Sequence, residues 1–163
     1  MGEVAPGDQD RTPDARAAFS EWGDRPVPVP DGSSAEYWAA AARGELLLQF
    51  CRSCGASQFY PRFACRWCAG EPEWRRASGL GVVHTFTVIH QNGSRAFRER
   101  VPYVVAMVEL EEGPRMMCNV THCSPEQVHI GMAVEVCFVP VEEGLAIPQF
   151  RPSQAVREAG GPA

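Results

Sequence analysis

The sequence predicts a mainly β chain in which an N-terminal helix and a four-cysteine ribbon precede a five-stranded barrel. Two observations carry this. Cys51, Cys54, Cys65 and Cys68 are spaced C-x2-C-x10-C-x2-C, and beyond Gly79 the apolar residues recur with period two in five short runs. Each C-x2-C pair forms a tight knuckle that aims two thiolates at one point, and two knuckles complete a closed tetrahedral set. With four protein ligands no coordination position stays open, so the metal holds structure instead of doing chemistry. Zinc is the expected ion. Iron is the rival, since softness and tetrahedral geometry do not separate the two.

Residues 1–32 are rich in Pro, Gly, Asp and Ala and end in Pro26-Val-Pro-Val-Pro30. Such a stretch buries too little apolar surface to order itself and reads as a disordered tail or an interdomain linker. A helix is expected within residues 33–45. Ser33 and Glu36 match a capping box, a run of alanines favours helix, and Gly44 suits a left-handed stop. The ribbon spans residues 46–77, with Phe59-Tyr-Pro-Arg-Phe63 returning the chain between knuckles and Trp67 inside the second. A module this small depends on its metal.

The barrel is expected over residues 78–152. Its first strand sets Val82, His84, Phe86 and Val88 against Val83, Thr85, Thr87 and Ile89. Val104, Ala106, Val108 and Leu110 share a face of the second strand, and Met116, Cys118 and Val120 a face of the third. Ser124-Pro-Glu-Gln127 caps one helical turn. Val134, Val136 and Phe138 mark the fourth strand, and Leu145 to Phe150 the fifth, whose Pro148 argues for an edge. Five strands with a helical turn after the third fit a small Greek-key barrel of the OB type. Residues 153–163 read as a flexible tail.

The charge is −5 overall, yet residues 43–100 carry nine Arg against four acids, and all fifteen basic residues of the chain are arginine. No apolar run approaches the roughly 20 residues needed to span a bilayer, and the start lacks the apolar region of a secretory signal. These features point to the cytoplasm, where metal thiolates survive. Cys118, Cys123 and Cys137 read as small buried hydrophobes.

Taken together, the motifs resemble the DUF35 family of OB-fold proteins with a rubredoxin-like zinc ribbon. The resemblance rests on Tyr37-Trp38, Gly44-Glu-Leu46, Gln49-Phe-Cys-Arg-Ser-Cys-Gly55, Pro61-Arg62 and Cys65-x-x-Cys68. It continues through Glu73-Trp74, Ser78-Gly-x-Gly81, Pro102-Tyr-Val-Val-Ala106, Glu112-Gly113, Ile130-Gly-Met-x-Val134 and Ile147-Pro-x-Phe-x-Pro152, covering about residues 34 to 152. It implies an accessory, non-catalytic subunit that completes a thiolase-like enzyme acting on acyl-CoA by acyl transfer, thiolysis or retro-aldol cleavage, steroid side-chain thioesters included. It also implies a hetero-oligomer with acyl-CoA near the shared interface. In the steroid system the domain is fused behind a hydratase-type domain, which would suit residues 1–32 as a linker.

On that reading Trp38, Phe59 and Phe63 are candidate partner anchors, and Arg95, Arg98 and Arg100, in the loop joining the first two barrel strands, are candidate partner or CoA contacts. His84, His90, His122 and His129 lack the companions of a catalytic site, and adjacent His122 and Cys123 would point to opposite faces of a continuing strand. The alternative function is single-stranded nucleic-acid binding, to which both modules are suited. The acidic net charge and the scarcity of barrel aromatics weigh against it. An iron electron carrier ranks last.

Overall fold

The computed structural model describes residues 22–153. Helix α1 (Ala35–Ala42) leads into a three-stranded antiparallel sheet of β1 (Leu47–Cys51), β2 (Ser57–Gln58) and β3 (Pro72–Arg76), ordered β2-β1-β3. A closed barrel comes next, built from β4 (Leu80–Ile89), β5 (Tyr103–Leu110), β6 (Arg115–Val120), β7 (Ala133–Glu142) and β8 (Leu145–Pro152), ordered β4-β5-β6-β8-β7. This is the OB arrangement expected of five strands and one helical turn, with a 3-10 turn at Pro125–Gln127 between β6 and β7. There the Gln127 side chain accepts from the Ser124 backbone N–H at 2.9 Å. Among the described residues no helix is long and apolar enough to cross a membrane.

The start of α1 differs from the expected capping box. Asp31 supplies the acceptor: its Oδ1 takes the backbone N–H groups of Ser33 and Ser34, both at 2.9 Å, and both hydroxyls. These bonds hold the Asp31 carboxyl below its ordinary pKa. At the other end Gly44 takes φ +78°, the left-handed stop expected of it.

A single core joins the three modules. Tyr37 and Trp38 of α1, Leu46 and Leu48 beside the ribbon, and Val83, Val108, Val134 and Phe150 of the barrel belong to one buried cluster. Trp22 is also in it, and Val27 packs against it, so the stretch after residue 21 lies on the body instead of trailing from it. The ribbon and barrel are further tied at Glu112. Its carbonyl accepts from Ser57 Oγ at 2.6 Å, and its Oε1 accepts from the Ser78 N–H at 2.6 Å.

Three strand expectations change. In β4 the register slips between Val83 and Thr85, so the face drawn through Val82, His84, Phe86 and Val88 is broken. Val83 is buried while Val82 is 42% exposed, and past the bulge Phe86 and Val88 turn to the core. Pro148 does not mark an edge strand, because the barrel is closed. β8 pairs with β6 only at Phe150, whose carbonyl accepts from the Thr121 N–H. Pro148 turns its backbone the same way as Phe150, into a stretch without that pairing, so its missing N–H leaves no broken bond. Finally, β6 ends at Val120 and His122 takes φ +60°, so the strand does not carry on through His122 and Cys123.

Phe150 is fully buried on the strand that meets β6, β7 and α1. Phe150→Ala is expected to lower stability by about 3–5 kcal/mol. Urea unfolding followed separately by tryptophan fluorescence and barrel backbone amides should show one coincident transition; two resolved transitions would contradict the shared core.

Candidate metal centre

The two knuckles are built alike. After Cys51 the chain turns so that the Gly55 N–H donates to the Cys51 carbonyl at 2.9 Å, and after Cys65 the Ala69 N–H donates to the Cys65 carbonyl at 2.9 Å. Both turns need a left-handed residue, supplied by Gly55 at φ +71° and, less comfortably, by Ala69 at φ +57°. Backbone N–H groups then point at sulfur. That of Cys54 lies 3.5 Å from Cys51 Sγ, and that of Trp67 lies 3.4 Å from Cys65 Sγ. The Cys54 N–H pulls the Cys51 thiol down to about 6, and the Trp67 N–H lowers Cys65. Both favour the thiolate that metal binding requires.

The four sulfurs lie within 4.8 Å of one another, with Cys51 and Cys68 3.5 Å apart and Cys54 and Cys65 3.7 Å apart. A zinc–sulfur bond of about 2.3 Å puts the corners of a regular tetrahedron about 3.8 Å apart. All four thiols are free of disulfides, and the donor set fits a closed tetrathiolate ion. Cys51 and Cys65 are buried while Cys54 and Cys68 reach the surface. Gly70 closes the far side: a side chain there would meet Ser53 Oγ at 2.6 Å and Cys51 Sγ at 3.0 Å.

What sets the distance between the knuckles is a pair of buried glutamines. Gln49 on β1 and Gln58 on β2 are register partners, and Gln58 Nε2 donates to Gln49 Oε1 at 2.8 Å. Gln49 clamps Arg62 from both sides, donating to its carbonyl at 3.0 Å and accepting from its N–H at 2.8 Å. Gln58 Oε1 accepts from the Arg66 N–H at 3.0 Å. The return segment is thus stitched to the sheet on both sides of Cys65, at Arg62 and Arg66. Sequence reasoning assigned neither glutamine a role, although a polar residue closing the apolar run Leu46-Leu-Leu48 was a usable signal.

The other candidates are not gathered at this centre. Trp38, expected to be exposed, is 8% exposed and donates its indole N–H to Tyr60 Oη at 3.1 Å. A helix held between ribbon and barrel has no free aromatic edge there. Phe59 is half-buried against Tyr37, with ring centroids 5.7 Å apart. Phe63, by contrast, is 80% exposed, and Trp67 lies nearby in sequence under the Arg66 guanidinium, 3.8 Å from its ring. Arg95, Arg98 and Arg100 are exposed on the β4–β5 connection, where a single turn of helix, α2 (Arg95–Arg98), replaces the expected plain loop.

Gln49→Leu strands the Arg62 N–H and carbonyl and removes the acceptor of Gln58, so a loss of about 2 kcal/mol is expected. Hydrogen exchange should speed up at Arg62 and Arg66 while β5 amides stay protected; unchanged exchange at Arg62 would show that the glutamines do not hold this segment.

Two family models match adjoining parts of the chain. Residues 38–75 match the model described as ChsH2, rubredoxin-like zinc ribbon domain, and residues 74–139 match ChsH2, C-terminal OB-fold domain. A DUF35 domain-containing scaffold protein of Methanocaldococcus jannaschii is 39% identical over 95 residues, covering 57% of this chain and 67% of that protein. A probable enoyl-CoA hydratase alpha subunit of Thermomonospora curvata is 34% identical over 137 residues, covering 83% of this chain. The chain spans only 42% of the length of that hydratase relative. A solved structure described as Ltp2-ChsH2(DUF35) aldolase superposes with a TM-score of 0.69 at 32% identity, covering 77% of this chain and 98% of that one. With its ribbon, barrel and cysteine spacing all in place, the chain belongs to the DUF35 family.

Proposed function

We propose that this chain is a non-catalytic accessory subunit that binds and completes a thiolase-like enzyme acting on acyl-CoA thioesters in the cytoplasm. The observation that supports this most directly is the match along 98% of a chain in the solved structure described as Ltp2-ChsH2(DUF35) aldolase. The hydratase name of a second relative is consistent with a thioester substrate. On this reading the partner supplies the nucleophile or base for retro-aldol cleavage of a carbon–carbon bond. The present chain contributes a rigid docking body and, through Arg95, Arg98 and Arg100, positive charge toward the anionic coenzyme.

The ion at Cys51, Cys54, Cys65 and Cys68 is proposed to be zinc, serving to fix the ribbon. Metal analysis of the purified chain should return one zinc per chain and a colourless protein, whereas red, iron-bearing protein would contradict it. Stripping the ion with a chelator is expected to destabilise residues 46–77, because the free energy of ligation adds to the folding energy that the buried glutamines and shared core supply. Loss of protection there, with β5 protected longest, is the sign to look for in hydrogen exchange.

Phe63 is the exposed aromatic best suited to act as a desolvated anchor. Phe63→Ala is expected to weaken association with the thiolase-like subunit by roughly 30-fold, about 2 kcal/mol, without changing metal content or melting temperature. The chain alone should show no thioester turnover, and mixing it with that subunit should restore it. Turnover by the isolated chain would overturn the reading.

A further inference from the structure

The β4–β5 connection contains Asn92-Gly93-Ser94, and the side chain of Asn92 folds over the two residues that follow it. Its Oδ1 accepts from the Ser94 backbone N–H at 2.9 Å, and its Nδ2 donates to Tyr103 Oη at 2.9 Å. The Ser94 bond closes a ring that contains the Gly93 nitrogen, so the carboxamide carbon lies over the backbone with which it can react. Gly93 is exposed, and its N–H donates to no group among the described residues. A carboxamide next to an unhindered amide nitrogen is the arrangement from which a cyclic imide forms. Here the same carboxamide has an N–H on its oxygen and a hydroxyl on its nitrogen.

Asn119 is the chain's other asparagine. It lies inside β6, Val120 follows it, and its Nδ2 donates to the Val104 carbonyl at 2.8 Å. An extended strand and a β-branched neighbour keep this carboxamide off the next nitrogen. The two positions therefore differ in geometry, not only in sequence.

We propose that Asn92 is a self-modifying site, converted to aspartate or isoaspartate by its own backbone with Ser94 and Tyr103 assisting. The Gly93 nitrogen gives its proton to water and bonds to Asn92 Cγ, while the C=O electron pair moves onto Oδ1. The Ser94 N–H stabilises that negative charge. As the C=O bond reforms, the Cγ–Nδ2 bond breaks and its electron pair leaves on nitrogen. That nitrogen takes a proton from the Tyr103 O–H and departs as ammonia, and the proton released from Gly93, relayed by water, restores the tyrosine. A water molecule then opens the imide at either carbonyl. In sum one water is consumed and one ammonia released, with no oxidant or reductant. The product carries a carboxylate where a neutral amide stood. Residues 91–100 hold three arginines against one acid, so each conversion removes half the net positive charge of this connection. The inference is independent of the accessory role, since it needs neither a partner nor a thioester.

The test incubates the intact, metal-loaded chain in warm neutral buffer and follows two tryptic peptides by mass spectrometry, residues 77–95 with Asn92 and 116–157 with Asn119. Amide-to-acid conversion is expected at Asn92, with isoaspartate among the products, while Asn119 stays intact. A Cβ at Gly93 would meet nothing within 4 Å, so Gly93→Ala is sterically clear. It should slow conversion about tenfold or more by hindering the attacking nitrogen. Ser94 already has φ −72°, which proline adopts, so Ser94→Pro removes the N–H on Oδ1 without moving the backbone. A slowing of about tenfold is expected there, and a similar one in Tyr103→Phe, which keeps the ring and removes the acid. Ser94→Pro lies at an exposed position and keeps the test open if Tyr103→Phe does not fold. Conversion of Asn92 no faster than that of Asn119 would overturn the proposal. So would unchanged or faster conversion in both Ser94→Pro and Tyr103→Phe, which would make the two bonds a clasp that protects the amide.

Discussion

Gln49 and Gln58 meet between β1 and β2 where only apolar groups would normally be tolerated, and the geometry of the metal centre depends on that meeting. A tetrahedral ion accepts little error in sulfur position, while ten residues separate Cys54 from Cys65. A connection of that length is poorly determined by its own backbone. Carboxamides suit the task because each offers a donor and an acceptor together, and here they use both on the strand partner and the returning backbone. The alternative, a ribbon ordered by the metal alone, would place the whole entropic burden of ordering on one ion.

From this fixed point the rest of the chain is coupled by burial. β1 pairs along its length with β3, Ala77 donates to the Leu46 carbonyl at 2.8 Å, and Ser57 and Ser78 both reach Glu112 on the barrel's β5–β6 turn. Helix α1 packs on β8 and β1 at once, so Tyr37 and Trp38 belong to both modules. Three pieces, each too small for an independent core, share one. On the docking role proposed above, Phe63 and Trp67 are presented from a rigid platform, which lowers the entropy lost on association.

The sequence made much of this readable, for identifiable reasons. The cysteine spacing specifies a geometry, and the alternation of Val104, Ala106, Val108 and Leu110 reports which side of β5 is dry. Legibility failed where one residue breaks a pattern. The bulge at His84 reverses the face of β4, and nothing in an unbroken run of β-formers announces it. It also failed where exposure depends on a distant partner. Trp38 looked available because helix amphipathicity ignores Tyr60, which lies 22 residues away and accepts the hydrogen bond of its indole N–H. Burial of Trp22 in the shared core was hidden in the same way, since the residues after it are mostly glycine, prolines and charged groups.

β6 and β8 meet at a single register pair, Val120 with Phe150. Beyond Thr121 the chain finds no further strand partner until Gly131 and Met132 bond Val83. Thr121 itself bonds Phe150, so the stretch around Pro125–Gln127 is where length can change without breaking strand pairing, and each doubling of such a loop adds only about 0.6 kcal/mol of closure entropy. Related chains are therefore free to diverge in length at this rim and to reshape the surface they present there, while the cysteine sheet and the remaining strands stay as they are.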